Sequence, residues 1–307
     1  MGHNFLQFQK VYQDQPWWGH LHQTVSSHGD ITGITAVEDD YLSLFKEIKK
    51  RKLDENTFIF FHSDHGSRYG PYRQRYAGRY EEHLPFMIIV PPKDFRQKFP
   101  SHFENMKSNF NKLTTFFDIH KTLNHILNLY NDKDFNIKFK HKRGVSLFSP
   151  ITGTRTCEST PLKPEDCLCK IPKNVSANDP IVKTAALVAL TYMNNLIKSH
   201  KKSDLCSKLT LGAITDASVL IEAIKSSTAE KPKDLNQRYL ITFKVLPSNG
   251  TFEAMLDYSK STKKYILSEG IERINKYGSQ SDCVVERKLR GICFCKTSNK
   301  ITSKANT

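Results

Sequence analysis

The sequence predicts an α/β domain over residues 1–150 and a smaller, disulfide-containing α+β region over residues 151–307. Three observations carry that division. All seven cysteines fall between Cys157 and Cys295, whereas eleven of twelve histidines lie at or before His141. The first half also runs in the order helix, strand, loop, strand, helix, which is the pattern of an α/β fold. After Pro150 a cysteine-containing connector leads to one helix, a hairpin and a Cys-rich tail.

Residues 11–35 read as irregular. Thr35-Ala36-Val37-Glu38 then has capping-box spacing. Behind it Val37, Tyr41, Leu44, Phe45 and Ile48 share one helical face, and Lys49-Lys50-Arg51-Lys52 suits the negative end of the helix dipole. Thr57–His62 is short, β-favouring and apolar on both faces, as expected for a buried parallel strand. Leu84–Val90 is a second such run. A helix follows at about 114–129, with Phe116, His120, Leu123 and Leu127 on its apolar face. In the second half the sequence predicts a helix at about 180–199. Runs at 239–246 and 251–258 form a hairpin around Pro247-Ser248-Asn249-Gly250, and the last dozen residues fray.

The composition excludes several classes. With 38% hydrophobic and 11% aromatic residues in 307, global disorder and collagen-like repetition are ruled out. No run of 18 apolar residues exists, so no transmembrane segment is expected. Clustered cysteines imply disulfides and an extracellular or secretory compartment, and sequons at Asn174 and Asn249 agree with it. The first ten residues lack the apolar core of a signal peptide and do not form a myristoylation signal. Together with the odd cysteine count, this leads us to expect the C-terminal part of a longer secreted protein or a mis-started reading frame.

The strongest chemical signal is Phe60-Phe61-His62-Ser63-Asp64-His65-Gly66. A carboxylate and an imidazole at the end of a strand suit a divalent metal such as zinc or manganese. A loop aspartate capping a turn beside a surface histidine is the plainer alternative. The next residues interleave Arg68, Arg73, Arg75 and Arg79 with Tyr69, Tyr72, Tyr76 and Tyr80. Guanidinium groups match sulfate or phosphate oxygens, so these four are candidate anion-binding residues. A basic loop without a ligand is the main competitor; nucleic acid is the weakest alternative and is not an expected partner.

These residues carry a resemblance. The strand followed by Ser63-Asp64-His65-Gly66 resembles the metal-binding signature of the alkaline phosphatase superfamily, which includes sulfatases and phosphodiesterases. More narrowly, the chain resembles the sulfatase-like animal family catalogued as domain of unknown function 229. The matching pieces are Asp39-Asp40-Tyr41, Asn56-Thr57, Gly78-Arg79-Tyr80-Glu81-Glu82-His83-Leu84-Pro85-Phe86, Pro91-Pro92 and Phe95-Arg96. Leu113-Thr114-Thr115, Phe117 to Leu123, Gly144 to Phe148, Arg155-Thr156-Cys157 and Cys167-Leu168-Cys169 follow in order. The resemblance covers roughly residues 20–210.

It implies a partial sulfatase-like α/β/α sandwich and a divalent cofactor (zinc, manganese or calcium) held in part by Asp64 and His65. His28 resembles a histidine of the family that touches substrate or metal, although Gly29 separates it from Asp30. His120 matches an Asp-x-His-x-Thr-Leu position and suits either the site or a buried core. Glu81 and Glu82 resemble an acidic pair that orients the site or pairs with Arg79. The family's nucleophile and a further metal-binding aspartate match nothing in this chain, so no catalytic residue is assigned. The implied function is a portion of a secreted metal-dependent hydrolase of sulfate or phosphate esters. Its alternative is a non-catalytic extracellular protein that binds anionic glycans through its basic surface, formal net charge +15.

Smaller signals remain. His20-Leu21-His22 could ligate a metal or simply lie at the surface. Cys167 and Cys169, like Cys293 and Cys295, are expected to pair with more distant cysteines. Lys138, Lys140, His141, Lys142 and Arg143 read as either a polyanion contact or a solvated loop.

Overall fold

The structure is a computed structural model and describes residues 2–28, 31–129, 143–201, 203–222 and 236–296. Gly29, Asp30, Lys138, Lys140, His141, Lys142 and the expected frayed tail beyond Lys296 lie outside them. In chain order the helices are α1 (Gly2–Val11), α2 (Val25–His28), α3 (Glu38–Lys50), α4 (Tyr76–His83), α5 (Phe95–Lys98), α6 (Pro100–Ser108), α7 (Phe116–Leu129), α8 (Pro180–Lys198) and α9 (Arg287–Arg290). The strands are β1 (Ile59–His62), β2 (Met87–Val90), β3 (Lys170–Asn174), β4 (Thr210–Glu222), β5 (Gln237–Leu246), β6 (Gly250–Tyr258) and β7 (Tyr265–Arg273). This mixture of helices and sheets is the α/β class expected. The chain divides into two compact units. The first is Met1–Ser67 with Leu84–Pro161; the second is Arg68–His83 with Leu162–Thr307.

In the first unit, α3 forms where periodicity placed it. Glu38, Asp39 and Asp40 open its first turn and Lys49 and Lys50 close its last, each at the favourable pole. Its Tyr41 and Phe45 rings meet Phe61 of β1 at centroid distances of 5.4 and 5.1 Å. The capping box does not form. Thr35 lies in a 3₁₀ turn and donates its hydroxyl to the Thr32 carbonyl at 2.8 Å, leaving Val37 at the helix cap without a side-chain hydrogen bond.

The two strands of this unit correct the parallel expectation. β1 and β2 pair antiparallel, Ile59 opposite Val90 and His62 opposite Met87. Nor are they buried on both faces: Ile88 and Val90 are 52% and 40% exposed, while Ile89 packs on the core. An all-apolar run encodes neither strand direction nor whether a second layer covers it.

That core gathers Phe95, Met106, Leu147, Phe148 and Ile151, with Ile119 and Ile126 of α7 against it. α7 turns a different face inward from the one its apolar residues predict. Phe116, His120 and Leu127 are exposed, and Asp118 and Thr122 are buried. The Asp118 carboxylate accepts the Thr115 N–H at 2.6 Å, the Val145 N–H at 2.7 Å and both terminal nitrogens of Arg155 at 2.9 Å. Thr122 accepts the Leu147 N–H at 2.8 Å. A buried carboxylate with this many donors is satisfied, which is what permits its burial. Gly144 has φ +82°, and a Cβ there would sit 2.3 Å from the Phe117 carbonyl oxygen.

The second unit is built on an antiparallel sheet in the order β3-β4-β5-β6-β7. One face packs on α8. Asp179 caps that helix by accepting the Ile181 N–H at 2.7 Å, and Pro180 occupies its first turn. Small residues Ala185, Ala186 and Ala189 let it approach Ile241, Phe243, Phe252, Ala254 and Leu256 closely. Residues alternate faces along a strand. Thr251, Glu253 and Met255 therefore point to the other face, and they are buried too. Cys206–Cys293 and Cys283–Cys295 are disulfides, so the C-x-C pair at 293 and 295 bonds to distant partners as expected; Cys157 and Cys167 are also disulfide-bonded.

Candidate functional site

Asp64 and His65 follow β1 directly in the first unit. Asp64 is 66% and His65 37% exposed at the side chain. The Asp64 Oδ1 accepts the backbone N–H of His65 at 2.9 Å, and Oδ2 lies 3.6 Å from His65 Nε2. His65 Nδ1 is 2.7 Å from the Gly66 carbonyl oxygen, which can only accept. The neutral ring therefore carries its proton on Nδ1 and its lone pair on Nε2, beside the carboxylate. Partial burial opposes charge on Asp64, but His65, its backbone N–H and His22 outweigh that and hold the carboxyl below its ordinary value. The His20 and His22 rings lie 5.9 Å apart in the same unit. An ionised oxygen and an imidazole nitrogen at one strand end are ligand types for zinc or manganese.

The four arginines lie in the second unit and divide sharply. Arg73 and Arg79 are buried against the sheet face opposite α8. Arg73 grips Glu253 with two nitrogens, Nη1 to Oε2 at 3.2 Å and Nη2 to Oε1 at 3.1 Å, and donates its Nε to Glu82. Arg79 donates to Glu253 and to the Glu165 carbonyl. Burial opposes charge on Arg73, yet Glu253 and Glu82 raise its pKa above the ordinary value; burial likewise opposes charge on Glu253, and Arg79 and Arg73 lower it. These two guanidiniums are neutralised inside the protein, so an external anion has Arg68 and Arg75 to meet. Arg68 is half exposed, 3.8 Å from Glu82. Glu82 thus pairs with Arg73, not with Arg79, and Glu81 is exposed. A Cβ on Gly78 would lie 2.3 Å from the Tyr72 carbonyl oxygen, so glycine is what lets α4 close over this turn.

The other predicted residues are dispersed. His28 ends α2 and is exposed. His120 is exposed beside Asn124, so the buried-core reading of it fails. Asn249 is exposed at the hairpin turn with φ +53°, and Asn174 is exposed at the end of β3. Sequence reasoning passed over His83 and Glu272. Glu82, His83 and Glu272 bring one ligand atom each within 4.8 Å of one another. A histidine directly after two glutamates was the available signal; Glu272 gave none, because its neighbours come from far along the chain.

Fold and site together define a mixed α/β, disulfide-bonded protein with acidic and imidazole groups clustered in each unit. Residues 2–215 match the family described as Protein of unknown function (DUF229), and the chain belongs to that family. No curated protein and no solved structure matches it. Among the described residues no helix is long and apolar enough to cross a membrane.

Proposed function

We propose that the chain contributes the Asp64–His65 metal-binding segment of a divalent-metal-dependent hydrolase of sulfate or phosphate esters, working in an oxidising, extracellular compartment. The observation that carries this reading is the local geometry of the pair. An ionised carboxylate lies 3.6 Å from an imidazole nitrogen whose lone pair is set by the Gly66 carbonyl. Family membership, the resemblance of Ser63-Asp64-His65-Gly66 to the superfamily signature, and the disulfides support it. The donor set fits zinc or manganese better than calcium, which favours six or more oxygen ligands. When bound, such an ion polarises an ester oxygen and stabilises developing negative charge. Asp64 and His65 would hold it, with further ligands needed to complete the shell. Arg68 and Arg75 remain the candidate contacts for the anionic group.

The test is Zn²⁺ and Mn²⁺ titration of the intact oxidised chain, with aryl sulfate and aryl phosphate hydrolysis assayed alongside. Asp64→Ala and His65→Gln should each weaken binding at this site at least about 100-fold, removing a direct ligand costing no less than the 10–100-fold of an outer-shell partner. Metal binding indifferent to both substitutions, with no hydrolysis of either ester, would sink the reading.

A further inference from the structure

We propose that Glu82, His83 and Glu272 form a second divalent-cation site, wholly within the second unit and independent of the Asp64–His65 reading. Three elements converge on it. Glu82 and His83 are the last residues of α4, Glu272 lies on β7, and Asp166 ends the 3₁₀ turn Pro164–Asp166. The side chain of His83 is 8% exposed, and its Nε2 is buried with no hydrogen-bond partner among the described residues. That nitrogen lies 3.7 Å from Glu82 Oε2. A buried imidazole nitrogen without a partner is costly unless something fills the position.

The other ring nitrogen is held. His83 Nδ1 lies 3.3 Å from Asp166 Oδ1. With the proton on Nδ1 facing Asp166, the lone pair is left on Nε2, the nitrogen 3.7 Å from Glu82, and Glu272 completes the cluster. This is the carboxylate–histidine arrangement that orients metal-ligating imidazoles and raises their basicity. Ligand atoms within 4.8 Å of one another need only small side-chain rotations to reach bonds of about 2.0–2.2 Å. One imidazole and two carboxylates suit zinc or manganese, with a further position open to water.

Charge points the same way. Glu253 and Glu272 stand directly opposite on neighbouring strands, a destabilising pairing for like charges. Arg73 lies between them, at 3.1 Å from Glu253 and 3.7 Å from Glu272. Three guanidiniums, buried Arg73 and Arg79 and half-exposed Arg68, thus face four carboxylates: Glu82, Glu253, Glu272 and Asp166. A divalent cation offsets the remaining excess of negative charge. Glu82 can accept from Arg73 and still ligate, since a carboxylate offers about four lone-pair positions. Glu272 is 43% exposed and supplies the entry path. It lies outside residues 2–215, so the triad joins the family segment to a part of the chain beyond it.

The experiment is Zn²⁺ titration of the full, oxidised chain by calorimetry, without reductant so that the disulfides stay closed, in an Asp64→Ala/His65→Ala background. One equivalent should bind there. Adding His83→Gln should weaken it at least about 100-fold, and Asp166→Asn, which touches only the orienting carboxylate, about 10–100-fold. Glu272→Gln, at a half-exposed position, is the variant to read if His83→Gln does not fold, and it should also weaken binding at least tenfold. If the background variant binds no zinc, or binds it equally after Glu272→Gln and Asp166→Asn, the second site does not exist. Failure of the Asp64–His65 reading alone gives a different result: wild type and background variant then bind the same single equivalent, and His83→Gln removes it.

Discussion

The two sheets of this protein solve the same problem differently. β1 and β2 form a two-stranded ribbon, with Ile89 on the core while Ile88 and Val90 face outward. The β3–β7 sheet is covered on both faces, by α8 on one and by the Arg68–His83 segment on the other. The ribbon packs through Ile89 on the core and, on the face Phe61 shares with Ile88, meets Tyr41 and Phe45 of α3. The larger sheet buries apolar residues on one face and a closed set of ion pairs on the other. An arginine-rich stretch therefore serves here as half of a protein interior, and basic composition alone says little about what a segment binds.

The sharpest way to break that comparison is Glu253→Ala. It leaves Arg73 and Arg79 buried without their shared partner and should cost about 3–5 kcal/mol. Urea denaturation combined with hydrogen exchange should show protection lost in β5 and β6 and retained in α7. A loss under 1 kcal/mol would mean that the ion pairs are not what covers the sheet.

Acid should separate the units more gently. His102 stacks on Phe148, and its ring centroid lies 5.1 Å from that of His125. Burial holds both imidazoles below the ordinary value of 6.5. Their neutral forms are favoured in the folded state, so their contribution is complete above pH 6.5 and declines as pH falls below it. Glu253 is held below its ordinary value of 4.5 by Arg79 and Arg73 against the cost of burial, so its contribution is lost only as pH falls below 4.5. Exchange protection should thus fall first in α6 and α7 and later in β5 and β6; the reverse order would contradict the assignment. The smallest effect belongs to Ile88→Lys. At this half-exposed position opposite Phe61 it should change stability by no more than about 0.5 kcal/mol in thermal melts. A drop above 2 kcal/mol would show that Ile88 packs as a core residue.

The legible parts of the sequence were those set by local periodicity. α3, α7, α8 and the β5–β6 hairpin fall where spacing and turn residues put them. The inward face of α7 was hidden, because Asp118 and Thr122 look solvent-facing until Arg155, Val145 and Leu147 supply their partners. α4, α5 and α6 were missed for lack of a strong apolar stripe. At the candidate sites, Asp64 and His65 were visible because the two candidate ligands are adjacent in the chain. His83 was not, since its burial depends on Glu272 and Asp166, distant in sequence. Arg73 and Arg79 misled for the same reason, with Glu253 lying 180 and 174 positions further on.

That last separation bears on how the chain comes to be folded. The guanidiniums that close the outer face of the large sheet are made 180 and 174 residues before the carboxylate they close upon. During synthesis Arg73 and Arg79 must stay hydrated until β6 has emerged and been placed by its neighbours. The gain from pairing arrives only after the loop-closure cost has been met, a topology that slows folding. For this unit, completion waits for β6, and α4 cannot settle on its charged partners until strands made long after it are in place.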